Sequence, residues 1–580
     1  MHSNQNHCAA LYSSLALLIG FAACSSSDPI EPADLVLRGG TVVTVDDAMP
    51  RAEAIAIRGF EIVAVGSDRE IDAYVGPDTN RVELEGRLAI PGFIDGHAHY
   101  LSLGEAKTIL DLMRAATWGE IVEQVAAAVR QAKPGEWILG SGWHQEKWTE
   151  LPDPNLDGLP LHARLSSVSP ENPVHLAHAS GHAIFVNEMA MKLAGIGSTT
   201  PDPPGGTIVR DASGHPTGLM RETAEELIRA VIDRENSERA PQEREAELRR
   251  QMELAGREAL SKGITTIHDA GVRFDDIDRF KAWANEGALP VRLYVMVDLE
   301  ETNEILTERL ADYRIIPEGN DFLAVRSIKR MVDGGLGAHG AWLLEPYTDM
   351  PDSTGLILDS PDDIEATGRI AIQYGFQLNT HAIGDRGNRE TLDIYQRIFA
   401  ENTSAHDLRW RIEHAQHLDP ADVPRFAELG VIASMQGVHA SSDGPWLPKR
   451  LGEKRAGDIS YVWRSLIDAG AVVTNGTDAP VEDVDPIASF YASVTRKMPN
   501  GEFFHPEQSM TRTEALRSYT LDNAYAAFEE QLKGSITPGK LADITVLSKD
   551  ITTIPLDEIP TAKVDYTIVG GKIAYSRAAN

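Results

Sequence analysis

The sequence predicts an α/β protein: a (β/α)8 TIM barrel with an inserted subdomain, joined to a small β-sandwich domain built from both chain ends. Three observations lead there. Eight apolar, strand-like runs, each ending in polar residues, alternate with helical patterns through the middle of the chain. Both chain ends read as short strands separated by Gly and Asp turn signals. One interval, from Gly104 to about Arg221, is too long for a simple crossover between two barrel strands.

Taken in order, ADLVLRGGTVVTVDD reads as one β-hairpin and AEAIAIRGFEIVAVGS as a second, turning at Arg58-Gly59. Residues 34–88 therefore form the first part of the β-sandwich, and 531–580, with LADITVLSKD and KVDYTIVGGKIAYS, form the second. Between them, 89–530 is the barrel. Its strands are read in LAIPGFIDGHAHY, GITTIHDAG, PVRLYVMVD, VRSIKRMVDGG, GFQLNTHAIGD, RWRIEHAQ, VIASMQGVHA and AVVTNGTDAP, with helical patterns at 225–262, 362–374 and 389–400. The interval 104–221 contains the tryptophan-rich GEWILGSGWHQEKW and the Pro- and Gly-rich TTPDPPGGTIVRDASGHPTG, and reads as a subdomain covering the barrel mouth.

The 580 residues suffice for a large core and more than one domain. A surplus of 87 Asp+Glu over 54 Lys+Arg gives a net charge of −33, which repels nucleic acid and anionic lipid and disfavours both as partners. Cys8 and Cys24 are the only cysteines, so a metal in the body of the protein must be held by nitrogen and oxygen. Residues 11–23 are apolar but too short for a stable bilayer anchor. They precede Cys24 and a Ser-rich linker (25–33), and resemble a bacterial lipoprotein signal (1–24). That resemblance implies export to the periplasm or cell envelope, with a lipid on Cys24 as the sole membrane attachment.

At the end of the first barrel strand, His97 and His99 are two residues apart, so side-chain alternation turns both the same way. Two imidazoles so placed can share one metal ion, although a strand end with two unrelated histidines looks the same. Other strand ends supply Lys329, His381, His414 and Asp478. Barrel strands bring their C-terminal ends to one mouth, so these residues are expected to converge.

In PGFIDGHAH, SGHAIFVN, GGTIVRDASGHPTG, GITTIHDAG, KRMVDGG, THAIGD, RIEHAQ, QGVHASSDGPW, GTDAPVEDVDP and TPGKLADITVL, the chain resembles the amidohydrolase superfamily. Within it, the likeness is to the YtcJ-like group that includes N-substituted formamide deformylase, and it runs from about Ala33 to the C-terminus. The resemblance implies a metal-dependent hydrolase that cleaves a linear C–N amide bond, N-formyl or N-acyl, with metal-activated hydroxide. It implies His97 and His99 on one divalent ion, and His381 and His414 on a second. A carboxylated Lys329 would lie between the two, with Asp478 as metal ligand and proton carrier. Zinc is the expected metal, with manganese, iron or cobalt as alternatives on the same donors. His182 and His439 are candidate donors to the oxyanion. His339, Trp143 and Arg496 are candidate substrate contacts, and the expected partners are a small amide and, at most, a second copy of the chain in a homodimer. Cyclic-amide hydrolysis or deamination on the same barrel, or a non-catalytic binding lipoprotein, are the alternative readings. Gly384-Asp385-Arg386 after the fifth strand, in place of a HxxE helix motif, speaks against an adenosine-type deaminase.

Overall fold

The computed structural model describes residues 30–577, apart from 299, 404 and 405. The expected signal segment, the lipidation point at Cys24 and most of the linker lie outside the described residues. Eight parallel strands form one sheet whose order follows the chain: β1 (Phe93–Ala98), β2 (Ile264–Val272), β3 (Arg292–Val297), β4 (Leu323–Met331), β5 (Gln377–Ala382), β6 (Arg411–His414), β7 (Ile432–Gln436) and β8 (Val473–Gly476). The runs are apolar along their length because helices cover the outer face while side chains fill the interior, so both faces of a strand such as β3 are buried.

Sequence signals fix the helix ends. Pro361–Tyr374 starts where Ser360 accepts the Asp363 amide and stops at Gly375, whose positive φ admits the turn. The long helical pattern at 225–262 is two helices, Glu226–Glu238 and Pro241–Ser261, because proline cannot continue the first.

The sheet closes between β8 and β1. Asp478 N donates to His97 O (2.7 Å) and His99 N to Ala479 O (2.8 Å). Lower in the seam, Asn523 Nδ2 bridges Ile94 O (2.6 Å) and Asn475 O (2.8 Å). The backbones come so near that a Cβ at Gly476 would lie 2.6 Å from His97 N.

Two further sheets come from the chain ends. One has four strands, all from the N-terminal part; the other has six, in which Ile544–Leu547 pairs with Leu88–Pro91. Leu37, Ile55, Val82, Ala89, Ile544 and Ile568 are buried in one cluster that draws on both sheets. Here the structure corrects the first expected hairpin. Leu35–Arg38 pairs with Ala54–Arg58, whereas Thr41–Val43 pairs with Leu88–Pro91, so Gly39-Gly40 carries the chain from one sheet to the other. The small-domain strand also continues to Pro91 instead of ending at 88.

The insertion carries its own six-stranded sheet, from Leu110–Asp111 to Pro216–Glu222, over a core that includes Trp118, Trp143, Leu176 and Phe185.

Candidate metal centre and active-site cleft

Each expected ligand sits at or just past the C-terminal end of its strand. His97 is near the end of β1, and His99 begins the helix Tyr100–Ala106. Lys329 lies in β4, His381 in β5, and His414 ends β6. Asp478 follows β8 by two residues. His414 and Asp478 both have left-handed backbone, at φ 74° and 58°. Non-glycine residues avoid this conformation, and it accumulates at functional sites.

The side chains meet. Asp478 Oδ1 is 3.3 Å from His99 Nε2 and 3.5 Å from His97 Nε2, and the potential ligand atoms of these three residues all lie within 4.8 Å of one another. His414 Nδ1 stands 4.0 Å from Asp478 Oδ2. Lys329 Nζ is 3.4 Å from His97 Nε2. The His414 ring is 4.4 Å from the His381 ring and 4.7 Å from that of His97, centroid to centroid.

Burial sets the charges. Desolvation, with Lys329 as a positive neighbour, holds His97, His381 and His414 well below the usual imidazole range, which leaves them neutral. Desolvation likewise lowers Lys329. Burial pushes Asp478 upward, but the hydrogen bond from His99 prevails and holds it well below the usual carboxylate range. His182 behaves differently. Its burial favours the neutral ring, but the charge and hydrogen bond of Glu222 (2.9 Å) outweigh that and raise it to about 9.

These groups fit a divalent cation. They offer neutral imidazoles and an ionised carboxylate, the forms that bind metal, and no sulfur. His381 Nε2 is buried and makes no hydrogen bond among the described residues.

Supporting partners aim the ligands. Glu413 accepts from His97 Nδ1. It is held in turn by Arg411, whose Nε lies 2.6 Å from Glu413 Oε1, with the guanidinium anchored on Gly96 O and Ser434. Gln436 Oε1 is 2.8 Å from His414 Nδ1. Asp95 accepts from the Thr477 amide (3.0 Å) and hydroxyl (2.6 Å), fixing the residue before Asp478. Such second partners set tautomer and ring orientation. His268 belongs to this supporting layer, with Nδ1 3.1 Å from Arg411.

Above the cluster opens a cleft. His414, Asp478, His182 and His439 line it together with His144, Leu336, Ile383, Trp446 and Val481; Lys147 and Glu482, 3.8 Å apart, are also in its wall. Thus His182 and His439 face the same space as Asp478.

The three expected substrate contacts do not form its walls. Trp143 turns into the core of the insertion, where its indole donates to Leu176 O (2.8 Å); the next residue, His144, takes the cleft position. His339 packs on Tyr347 and pairs with Asp349 (3.2 Å), tying down its loop. Arg496 is fully buried, donating to Phe504 O and Tyr461 O and stacking on Trp463. Buried there, it does not line the cleft. Nor do His178 and His182 share one strand: Val174–His178 ends and Ala183–Val186 returns antiparallel, with His182 in the turn between them.

Sequence reasoning missed Glu413, Asp95 and Glu222. For Glu413 a signal existed in RIEH, a charged pair two residues apart within a barrel strand.

The family described as "Amidohydrolase family" matches residues 81–575 of the chain. Among curated relatives, the protein LONG AFTER FAR-RED 3 of Arabidopsis thaliana is 35% identical over 94% of this chain and 92% of its own length. The putative amidohydrolase YtcJ of Bacillus subtilis is 30% identical, and the N-substituted formamide deformylase of Arthrobacter pascens 28%, each over 94% of this chain and 99% of its own. A solved structure, of an uncharacterized metal-dependent hydrolase from Pyrococcus furiosus, superposes with a TM-score of 0.68 at 25% identity, covering 90% of this chain and all of that one. The eight-stranded barrel, the cluster at its mouth and a family match across most of the sequence agree: this chain belongs to the amidohydrolase family.

Proposed function

We propose that the protein hydrolyses a linear C–N amide bond, with an N-formyl or N-acyl amide as substrate. The observation that carries this reading is the position of Asp478, an ionised carboxylate set between His97 and His99 at the base of a partly apolar cleft. The names of two relatives, an amidohydrolase and an N-substituted formamide deformylase, support the bond class.

His97 and His99 with Asp478 would hold one divalent ion, His381 and His414 a second, with Lys329 as a carbamate between the two. The buried, readily neutral amine of Lys329 favours that modification, because an uncharged amine adds carbon dioxide and releases a proton. Zinc is the proposed metal, and manganese, iron or cobalt would suit the same donors. Bound there, such ions acidify water and polarise a carbonyl.

The chain's own groups do the rest. Asp478 accepts the proton that the attacking water loses and returns it to the departing nitrogen as the C–N bond breaks. His182, or His439 across the cleft, donates to the carbonyl oxygen as negative charge develops on it. Trp446, Leu336 and Ile383 exclude water and pack against the substituent on the acyl or amine side.

Metal analysis of the purified protein, with a screen of formamides and N-acyl amino acids, tests the proposal. We expect stoichiometric divalent metal and turnover of at least one linear amide. Asp478→Asn should lower kcat by about 10³-fold. Protein grown with zinc or manganese that carried no stoichiometric divalent metal would end the hydrolase reading, and full activity in Asp478→Asn would end the role given to that carboxylate.

A further inference from the structure

Two glycines of VDGGLGAHG, Gly334 and Gly340, take no part in the chemistry above, yet they pack against one carboxylate. Glu222 ends the inserted strand Pro216–Glu222, and its backbone is left-handed at φ 50°. It grips His182 at two points: its amide donates to His182 O (3.1 Å), and its Oε2 accepts from His182 Nδ1 (2.9 Å). Glu222 Oε1 is buried and has no hydrogen-bond partner among the described residues. Instead it faces bare backbone: a Cβ on Gly334 would stand 2.3 Å from that oxygen, and one on Gly340 2.1 Å. A Cβ on Gly335 would press the His182 ring, 2.7 Å from Cδ2. The loop leaves room for a His–Glu pair and for no added side chain at these three positions.

With Nδ1 committed to Glu222, Nε2 is the ring nitrogen that remains for the cleft. His182 lines that cleft beside Asp478, and its ring centroid is 5.4 Å from that of His381. We propose that Glu222 is a positioning residue for the reaction: by accepting the Nδ1 proton it fixes the His182 ring in the orientation that turns Nε2 to the scissile carbonyl. This rests on the role given to His182 above. A carboxylate bound to one nitrogen of a histidine orients the ring and, by its charge, favours the imidazolium, in which the other nitrogen also carries a proton. Because the pair comes from the insertion and its seat from the barrel, the donor reaches the carbonyl only when the two are docked.

The test compares kcat and KM of His182→Ala, Glu222→Gln and the double variant, each checked for an unchanged melting temperature. We expect Glu222→Gln to lower kcat by about 10²-fold with KM within about threefold, and the double variant to fall no lower than His182→Ala. Proton NMR gives a second readout that needs no turnover. Metal-free and metal-loaded wild-type protein should both show a low-field Nδ1 proton line, absent in His182→Ala and shifted upfield in Glu222→Gln. If His182→Ala keeps wild-type kcat, the underlying assignment of His182 is wrong. If His182→Ala is impaired but Glu222→Gln is not, or if the two losses add in full, the proposal for Glu222 is overturned and His182 stands. Should Glu222→Gln fail to fold, Glu222→Asp keeps the charge with a shorter reach, and kcat equal to wild type would count against the proposal. So would a wild-type spectrum without the low-field line.

Discussion

At the scale of single residues, the centre depends on a second tier of side chains that hold the expected ligands in place. His97 is aimed by Glu413, and Glu413 is neutralised by Arg411, all of them buried. Replacing Glu413 with Gln keeps the shape but removes the charge. It should weaken metal binding by about 10–100-fold, read by titration against a competing chelator. It should also destabilise the fold by about 3 kcal/mol in denaturant melts, since Arg411 would be left as an uncompensated buried charge. The candidate ligands were legible in the sequence because a polar residue at the end of an apolar run has few structural uses. Glu222 was not, because a carboxylate in a remote insertion gains meaning only from what folding brings beside it, and the charged pair in RIEH names no partner for Glu413 until the barrel is folded. Trp143 and Arg496 were misread for the converse reason: residue type suggests what a side chain can bind, and packing decides whether it is free to do so.

At the scale of elements, the helices that brace the last strands carry their own pH sensitivity. The helix Arg512–Ser518 opens with a capping box between Thr511 and Glu514, and Arg464 from the helix Trp463–Asp468 pairs with the same carboxylate at 3.0 Å. The hydrogen bond from Arg464, aided by Thr511, holds Glu514 down at about 2. A carboxylate lowered on folding contributes stability that is complete above its unfolded value near 4.5 and disappears as pH falls towards 2. Glu514→Gln should therefore melt below wild type at pH 7, by a margin of about 2 kcal/mol after allowance for partial exposure. Calorimetry from pH 5 to pH 2 should show that margin closing as the pH falls. Element types were readable from periodicity, but partners were not: a Gly-Gly pair looks alike whether it turns a hairpin or moves the chain between sheets.

At the scale of the whole molecule, barrel and small domain are joined by a buried ion pair. Arg292, at the start of β3, binds Asp543 through Nε (2.7 Å) and Nη2 (3.0 Å), and Asp543 also accepts from the Gly570 amide. Burial alone would raise this carboxylate, but Arg292 prevails and lowers it. Arg292→Met should cost about 3–5 kcal/mol, because the carboxylate would remain buried and unpaired. Differential scanning calorimetry should show the melting temperature falling accordingly. The overall architecture was legible because the strand–helix alternation is long and regular, and because strand-like segments at both ends need each other to bury their faces. One feature of that architecture reaches beyond catalysis. The seam that closes the sheet, where Asp478 donates to the carbonyl of His97, is also where the donor cluster is completed. Two members of this cluster, His97 and His99, are encoded early in the chain and the third, Asp478, late. A polypeptide truncated before β8 carries His97 and His99 without Asp478, the residue that completes the cluster. The cluster is complete only when the first and last staves of the barrel have met.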